Sequence, residues 1–335
     1  MAQLTLLDIA KRNGSDREIG LIEDVGTFAP EVAVLPARPI NGVSFKTSLR
    51  TNFPTSAFRA TGSGATLVKS TYQQKIAECF FLDTPLQVDE SIPDAEDRSV
   101  GDVLADEVQG AMSAAGIAIG TQLYYGTAAD SGGFQGLVSF VGTTSTLNVD
   151  AAGTGAVTMS AWLVYLDNKG VHFVVGRTAA GRGAGSPSEP SGDPAIIAPP
   201  FRMPEWTKQQ VAVGTAGKVA MAYVTNIAGW IGLAYGSNSS AFRVRNISLA
   251  SAASYMTDAQ GAKLLSKVPL HILNSGRLRW FMNRDAAYSL QATRAGATVN
   301  VQALPNGNWG VGYPTECQGI PITVTDSLTS TETAS

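Results

Sequence analysis

The residue types best suited to chemistry are few in this chain and far apart. There are two histidines, His172 and His271, and two cysteines, Cys79 and Cys317. Serine catalysis needs a base within hydrogen-bond reach of the nucleophile and an acid to orient that base. No serine lies in a G-x-S-x-G turn, the sharp elbow that exposes such a nucleophile. His172 falls inside the apolar run VHFVV, and His271 follows Val268-Pro269-Leu270, so strand and turn packing account for both. Metal sites need clustered ligands, and there is no C-x-x-C or H-x-x-x-H.

Two glycine-bearing stretches echo phosphate loops. In Gly64 to Ser70 (GATLVKS) the position before Lys69 is Val68, a stiff β-branched residue where a phosphate loop needs glycine. Gly181 to Gly185 is followed by Pro187 and Pro190, which deny a clean helix start for an anion. Asp94, Glu96 and Asp97 lack the alternation around a central glycine that a calcium loop requires. The expectation is a protein with no catalytic residue, no cofactor and no metal, and not an enzyme.

What stands out instead is a reversal of charge. Positions 41–77 carry Lys46, Arg50, Arg59, Lys69 and Lys75 and no acid. Positions 78–107 carry the acids Glu78, Asp83, Asp89, Glu90, Asp94, Glu96, Asp97, Asp102, Asp106 and Glu107 against one base, Arg98. These are complementary patches. The expectation is an intersubunit contact, in which Lys46, Arg50, Arg59, Lys69 and Lys75 of one copy meet Asp94, Glu96, Asp97, Asp102, Asp106 and Glu107 of another. Such a contact is heterologous and builds rings or lattices.

The elements that must position these charges follow from periodicity. Val43, Phe45, Thr47, Leu49 and Thr51 alternate with polar residues, which is strand spacing; a Gly62-Ser63-Gly64 tip and a second β-rich stretch make 41–78 a long hairpin. Ser99 and Asp102 form a capping-box pattern, and Val100, Val103, Leu104, Val108, Ala111, Met112, Ala115 and Ile119 recur at spacings of three and four. This predicts a helix over 99–122, about 36 Å long. Upstream, Leu4, Leu7 and Ile9, then Ile19, Ile22 and Val25, predict two short helices broken at Asn13-Gly14.

Downstream, Trp162 to Val175 reads as a hairpin turning at Asn168-Lys169-Gly170, and 176–200 as a long exposed loop. Lys218 to Tyr223 and Trp230 to Tyr235 read as two strands. Helices are predicted from Thr257 or Asp258 to Lys267 and from Asn283 to Arg294, and a last strand at Ile320 to Thr325. The class is α+β, without regular β-α alternation.

Composition agrees with a surface that meets partners. Of 335 residues, 15% are charged, against about 25% in an ordinary soluble protein, and interface cores are depleted in charge. A net charge of −3 offers no basic footprint for gripping nucleic acid. Arg243 and Arg245 stand as two cations either for a nucleic acid or for an ordinary strand edge. Two cysteines make no disulfide framework. No window is apolar enough to cross a membrane, and the N-terminus does not read as a signal peptide.

The segments TLLDIAKRNGSD, PARPINGVSFKTSLRTNFPTSAFR, KSTYQQKIAECFFLD, AGWIGLAYGS, RWFMNRDAAYSLQATR and PTECQGIPITVTDSL, in that order along nearly the whole chain, resemble major capsid proteins of tailed bacteriophages. The resemblance implies the HK-ninety-seven-type capsid fold. Residues 1–40 would be an N-terminal arm, 41–78 the extended loop, 79–125 a peripheral domain with its spine helix, 126–300 an axial domain, and 301–335 a return strand to the peripheral domain with a tail. It implies self-assembly into hexamers and pentamers of an icosahedral virion shell, built in the bacterial host cytoplasm around double-stranded DNA held without sequence-specific binding. The partners implied are further copies of the chain, a separate scaffolding protein, a portal and a decoration protein, and no membrane. An encapsulin-like compartment shell would share the fold and differ in its cargo. A carbohydrate-binding β-rich module would instead remain a soluble monomer.

Overall fold

The computed structural model describes residues 29–93, 99–127, 132–142, 146–177, 205–212, 219–294 and 314–334. The two short helices expected before residue 27, most of the loop expected at 176–200, and Asp94, Glu96 and Asp97 lie outside them. The elements in chain order are α1 (Glu31–Val34), β1 (Ala37–Asn41), β2 (Ser44–Asn52), β3 (Thr71–Glu78), β4 (Phe80–Asp89), α2 (Val100–Tyr125), α3 (Leu137–Val141), β5 (Asn148–Asp150), β6 (Met159–Tyr165), β7 (Val171–Arg177), β8 (Thr207–Ala212), β9 (Val219–Tyr235), β10 (Ala241–Ile247), α4 (Asp258–Leu265), α5 (Leu270–Leu273), β11 (Leu278–Met282), α6 (Arg284–Arg294), β12 (Glu316–Cys317) and β13 (Ile320–Val324).

The strands form three sheets. One runs β1-β7-β9-β4, with β8 also on β9; a second runs β12-β13-β11-β6-β10-β5; the third is the β2-β3 ribbon alone. Strand β9 is the axle of the first. Its 17 residues pair with β4 over Ala222–Ile231, with β8 at one end and with β7 at the other. The two strands expected at 218–223 and 230–235 are therefore one. The residues between them, Val224 to Gly229, bond to β4 and keep the chain extended through a glycine.

The hairpin expected between Trp162 and Val175 is corrected by the structure. β6 pairs with β10 and β11 in the second sheet, whereas β7 pairs with β1 and β9 in the first. Both strands are mostly apolar, and β6 throughout and β7 from Val171 to Gly176 are buried, so neither has the exposed polar face that a simple hairpin would show. Each side of β6 serves a different core. Ala161, Leu163 and Tyr165 pack with Leu264, Ala286, Ala287 and Leu290 from α4 and α6. Trp162 and Val164 pack with Phe173, Ile231, Ile119 and Leu123 from the first sheet and α2. The turn at 166–170 is thus the step from one sheet to the other. A Cβ at Gly170 would collide with the Tyr165 carbonyl, which holds this turn tight.

The final strand joins the second sheet. β13 hydrogen-bonds to β11 inside the second sheet, not to a strand of the first beside α2. It is the segment after β13 that reaches α2. The first sheet likewise draws β1, β4 and β7–β9 from segments that the resemblance divides among arm, peripheral and axial parts.

Helix α2 starts where its cap dictates. The Ser99 hydroxyl accepts from the Asp102 N–H, the Asp102 carboxylate accepts from the Ser99 N–H, and the helix then runs 26 residues. Its last turn binds both ends of the described chain. The Tyr124 hydroxyl donates to Glu31 Oε1 at 3.0 Å, and Ser327 Oγ donates to the other Glu31 oxygen at 3.3 Å. The neighbouring Tyr125 donates to Glu332 Oε1 at 2.7 Å. Glu332 also takes Arg243 Nη2 at 2.9 Å, and Ser160 bonds both partners. Gly120 makes the approach feasible, since a Cβ there would strike Ser327.

Both carboxylates are buried, with different consequences. Burial pushes the Glu31 carboxyl above its ordinary value of 4.5, against hydrogen bonds that pull it down. A raised value means stability present below pH 4.5 and lost as pH rises through the folded value. Glu31→Gln keeps an acceptor for Tyr124 and removes the titration. Its melting temperature should therefore fall less than that of the wild type between pH 4.5 and pH 8; parallel pH profiles would contradict the assignment. Glu332→Ala strands the Arg243 cation in the core, which costs about 3–5 kcal/mol of unfolding free energy, measured by chemical denaturation. The double change Arg243→Met with Glu332→Leu should cost less than the single one.

Candidate intersubunit surface

The β2-β3 ribbon is the surface in question. Its register sets Lys46 opposite Ile76, Ser48 opposite Gln74 and Arg50 opposite Tyr72. Between these fall Phe45 opposite Ala77, Thr47 opposite Lys75 and Leu49 opposite Gln73. Because side chains alternate across a strand, the two sets point to opposite faces. All six residues of the first set are exposed. In the second, every residue but Gln73 is half-buried, so this face turns toward the body.

The ribbon is rooted by that second face. Phe45 and Ala77 pack on a small cluster of Cys79, Val174 and Ala234, with Ile40 and Trp230. Arg38 lies 4.8 Å over the Phe45 ring. The Lys75 ammonium lies 5.2 Å over Phe140, which stacks on Tyr235 at 3.9 Å. Burial holds Lys75 below its ordinary amine value.

Beyond the root, every residue from Arg50 to Lys69 is exposed. That stretch carries large apolar side chains. Phe58 and Leu67 are fully exposed and Phe53 is 73% exposed. A two-stranded ribbon has no interior of its own in which to place them. These residues were missed by a reading that followed charge. The signal was present in NFPTSAFR, where two phenylalanines interrupt a polar tip.

The basic residues are not the single patch that was expected. Lys46 and Arg50 lie on the outer face, Lys69 lies in the tip, and Lys75 faces the body. Arg50 bonds to the Tyr72 hydroxyl and holds that phenol below its ordinary range. Arg59 donates to the Ser63 carbonyl. The acids are divided too. Asp83 accepts from Asn226 at 2.9 Å, Asp89 from Ser91, and Glu90 pairs with Lys208. Asp102 is committed to the α2 cap, and Asp106 and Glu107 are half-buried on the helix.

Other candidate chemistry is set aside by geometry. His172 is buried in β7 and His271 is exposed on α5. Among the described residues no group of three His, Cys, Asp or Glu could hold a metal. Burial pushes the Cys79 thiol up to about 11, and burial with the Asp258 charge pushes Cys317 up to about 12, the opposite of an activated nucleophile. Arg243 is buried against Glu332 and Trp162, which removes it from any DNA-facing role, and Arg245 pairs with Asp150. Among the described residues no helix is long and apolar enough to cross a membrane.

Comparison with solved structures gives the fold. The chain superposes on a cryo-EM structure of bacteriophage Epsilon15 with a TM-score of 0.73 and 16% identity, covering 100% of this chain and 98% of that one. A structure of Mycobacterium phage Bobi matches at TM-score 0.42 and 11% identity, over 72% of this chain and 98% of that one. The SrpI encapsulin complex of Synechococcus elongatus matches at TM-score 0.43 and 8% identity, over 75% and 98%. No curated protein sequence matches the chain. The fold is therefore the α+β capsid fold of the HK-ninety-seven type. Residues 41–335 match the family described as Major capsid protein GP7, from the first residues of the ribbon to the C-terminus. The chain belongs to the Major capsid protein GP7 family.

Proposed function

We propose that copies of this subunit close into hexamers and pentamers of an icosahedral virion shell around double-stranded DNA, and that the β2-β3 ribbon of each copy lies across its neighbour. The observation that carries the reading is the uncovered tip. Twenty consecutive exposed residues, Arg50 to Lys69, hold Phe53, Phe58 and Leu67, and among the described residues no apolar core covers them. Large apolar side chains gathered on one exposed tip mark a surface for a partner to cover.

The neighbour supplies the apolar cover, and charge sets the register. Lys46, Arg50 and Lys69 are the cations that reach outward, and they meet acids among Asp94, Glu96, Asp97, Asp106 and Glu107 of the next copy. Lys75 and Asp102 support the contact from within their own subunits, since one seats the root and the other caps α2. Arg59 shapes the tip through Ser63. The role is structural, and the shell holds DNA by enclosure, consistent with the net charge of −3. A scaffolding protein, a portal and a decoration protein complete the set of partners, and assembly takes place in the host cytoplasm.

Full burial of a phenylalanine contributes about 1.5–3 kcal/mol. Phe58→Ser should therefore raise the concentration needed for shells at least tenfold, measured by sedimentation and electron microscopy of the expressed chain. Reversal of Lys46, Arg50 and Lys69 to glutamate should also lower shell yield. The loss should be steeper at low salt, because exposed pairs are screened beyond a Debye length of about 10 Å at 0.1 M. Normal shells from both variants, with subunit melting unchanged, would end the reading.

A further inference from the structure

On the face of β7 that the ribbon root covers, His172, Val174 and Gly176 follow one another in alternation. His172 is fully buried, and neither ring nitrogen has a hydrogen-bond partner among the described residues. Phe45 of β2 stands edge-on to the imidazole, with centroids 5.9 Å apart and planes at 77°. The charged groups that face it are Arg38 from β1 and Asp167 from the turn before β7, and Asp167 already binds Tyr165 and Arg277. β9 offers only Ala234 across the strand pair, and the cation on the ribbon's body-facing side, Lys75, is directed to Phe140. The Gly170 and Asp167 carbonyls approach the ring outside hydrogen-bond geometry.

A proton on this ring would place an unbonded cation in an apolar wall beside a second cation, Arg38. Relief is available locally. The sheet below is held by a large core through Val171, Phe173, Ile231 and Leu233, whereas the root rests on a small cluster, and the least-held unit opens first. We propose that His172 is an acid-sensitive latch: its protonation releases Phe45 and the ribbon root from β7, so the seating of the ribbon on its own subunit depends on pH. This rests on the ribbon reading above and adds its regulation. Burial first, and Arg38 with it, hold the imidazole below its ordinary value of 6.5. In the opened state the ring regains that value. As pH falls below it, opening is favoured by up to about tenfold per pH unit, until the folded value is passed.

Cys79 reports on the same root. Its thiol is buried in the cluster under Phe45, and its N–H donates to the Val43 carbonyl at 2.8 Å. Cys317 lies in the other core and serves as an internal control. The test is labelling of the unassembled full chain with 4,4′-dithiodipyridine from about pH 7.5 to about pH 5, normalised at each pH to a free thiol. Cys79 labelling should rise up to about tenfold per pH unit while Cys317 stays protected, and His172→Gln should abolish the rise. Phe45→Ala should raise Cys79 labelling at neutral pH. A flat wild-type profile, a rise retained in His172→Gln, joint exposure of both thiols, or unchanged labelling in Phe45→Ala would each overturn the latch. Shell formation is not read, so failure of the latch and failure of the intersubunit reading are distinguishable.

Discussion

A two-stranded ribbon has no inside, and that constraint organises the molecule. Main-chain bonds between β2 and β3 satisfy each strand on one edge only, and side chains have only two open faces on which to sit. One face is resolved at the root, where Phe45, Lys75 and Ala77 meet β7, β9 and α3. The other face and the whole tip find no cover in the described chain. A ribbon of this kind is marginal by itself. Its geometry is set by the body at one end, and in the proposed shell by a neighbouring copy at the other.

The body is built to supply a stiff root. β9 spans the first sheet as one 17-residue strand, so the strand beneath the ribbon is continuous with those that carry β4 and β8. β6 ties that sheet to the second by burying one face in each core. The last turn of α2 then gathers the first and last described segments through Tyr124 and Tyr125. A buried ion pair such as Arg243 with Glu332 contributes little net stability against an apolar alternative, but it is strict about geometry. The C-terminal segment can sit in only one place if Arg243 is not to be left alone. Positional precision at the ribbon root follows from such fixtures.

Local chemistry was legible in the sequence, and long-range pairing was not. The Ser99/Asp102 capping box marked the start of α2, and Thr257 or Asp258 marked that of α4, because a cap is made by groups a few residues apart. Alternation marked the ribbon for the same reason. β6 and β7 defeated the reading because both are apolar on both faces, so periodicity has no signal and a turn-like NKG between them suggested the nearest partner. Glu332 carried no sign of its role, since Arg243 lies 89 residues away. Charge counting along the chain overstated the patches. Neighbours in sequence alternate between faces of a strand, and Asp83, Glu90 and Asp102 are taken by Asn226, Lys208 and the helix cap.

That division of charges bears on what holds one subunit to the next. Exposed ion pairs contribute about 0–1 kcal/mol each and less with salt, and only three of the five ribbon cations reach outward. Phe53, Phe58 and Leu67 together expose enough apolar surface to exceed this several-fold when covered. Apolar contact is permissive about direction, because it scales with area and not with angle. Charge is the reverse, weak in total but costly when mismatched. A ribbon with an apolar tip and a cationic outer face therefore divides the task. In the proposed contact the tip would set how strongly a neighbour is held, and Lys46, Arg50 and Lys69 would set where along that neighbour the tip comes to rest.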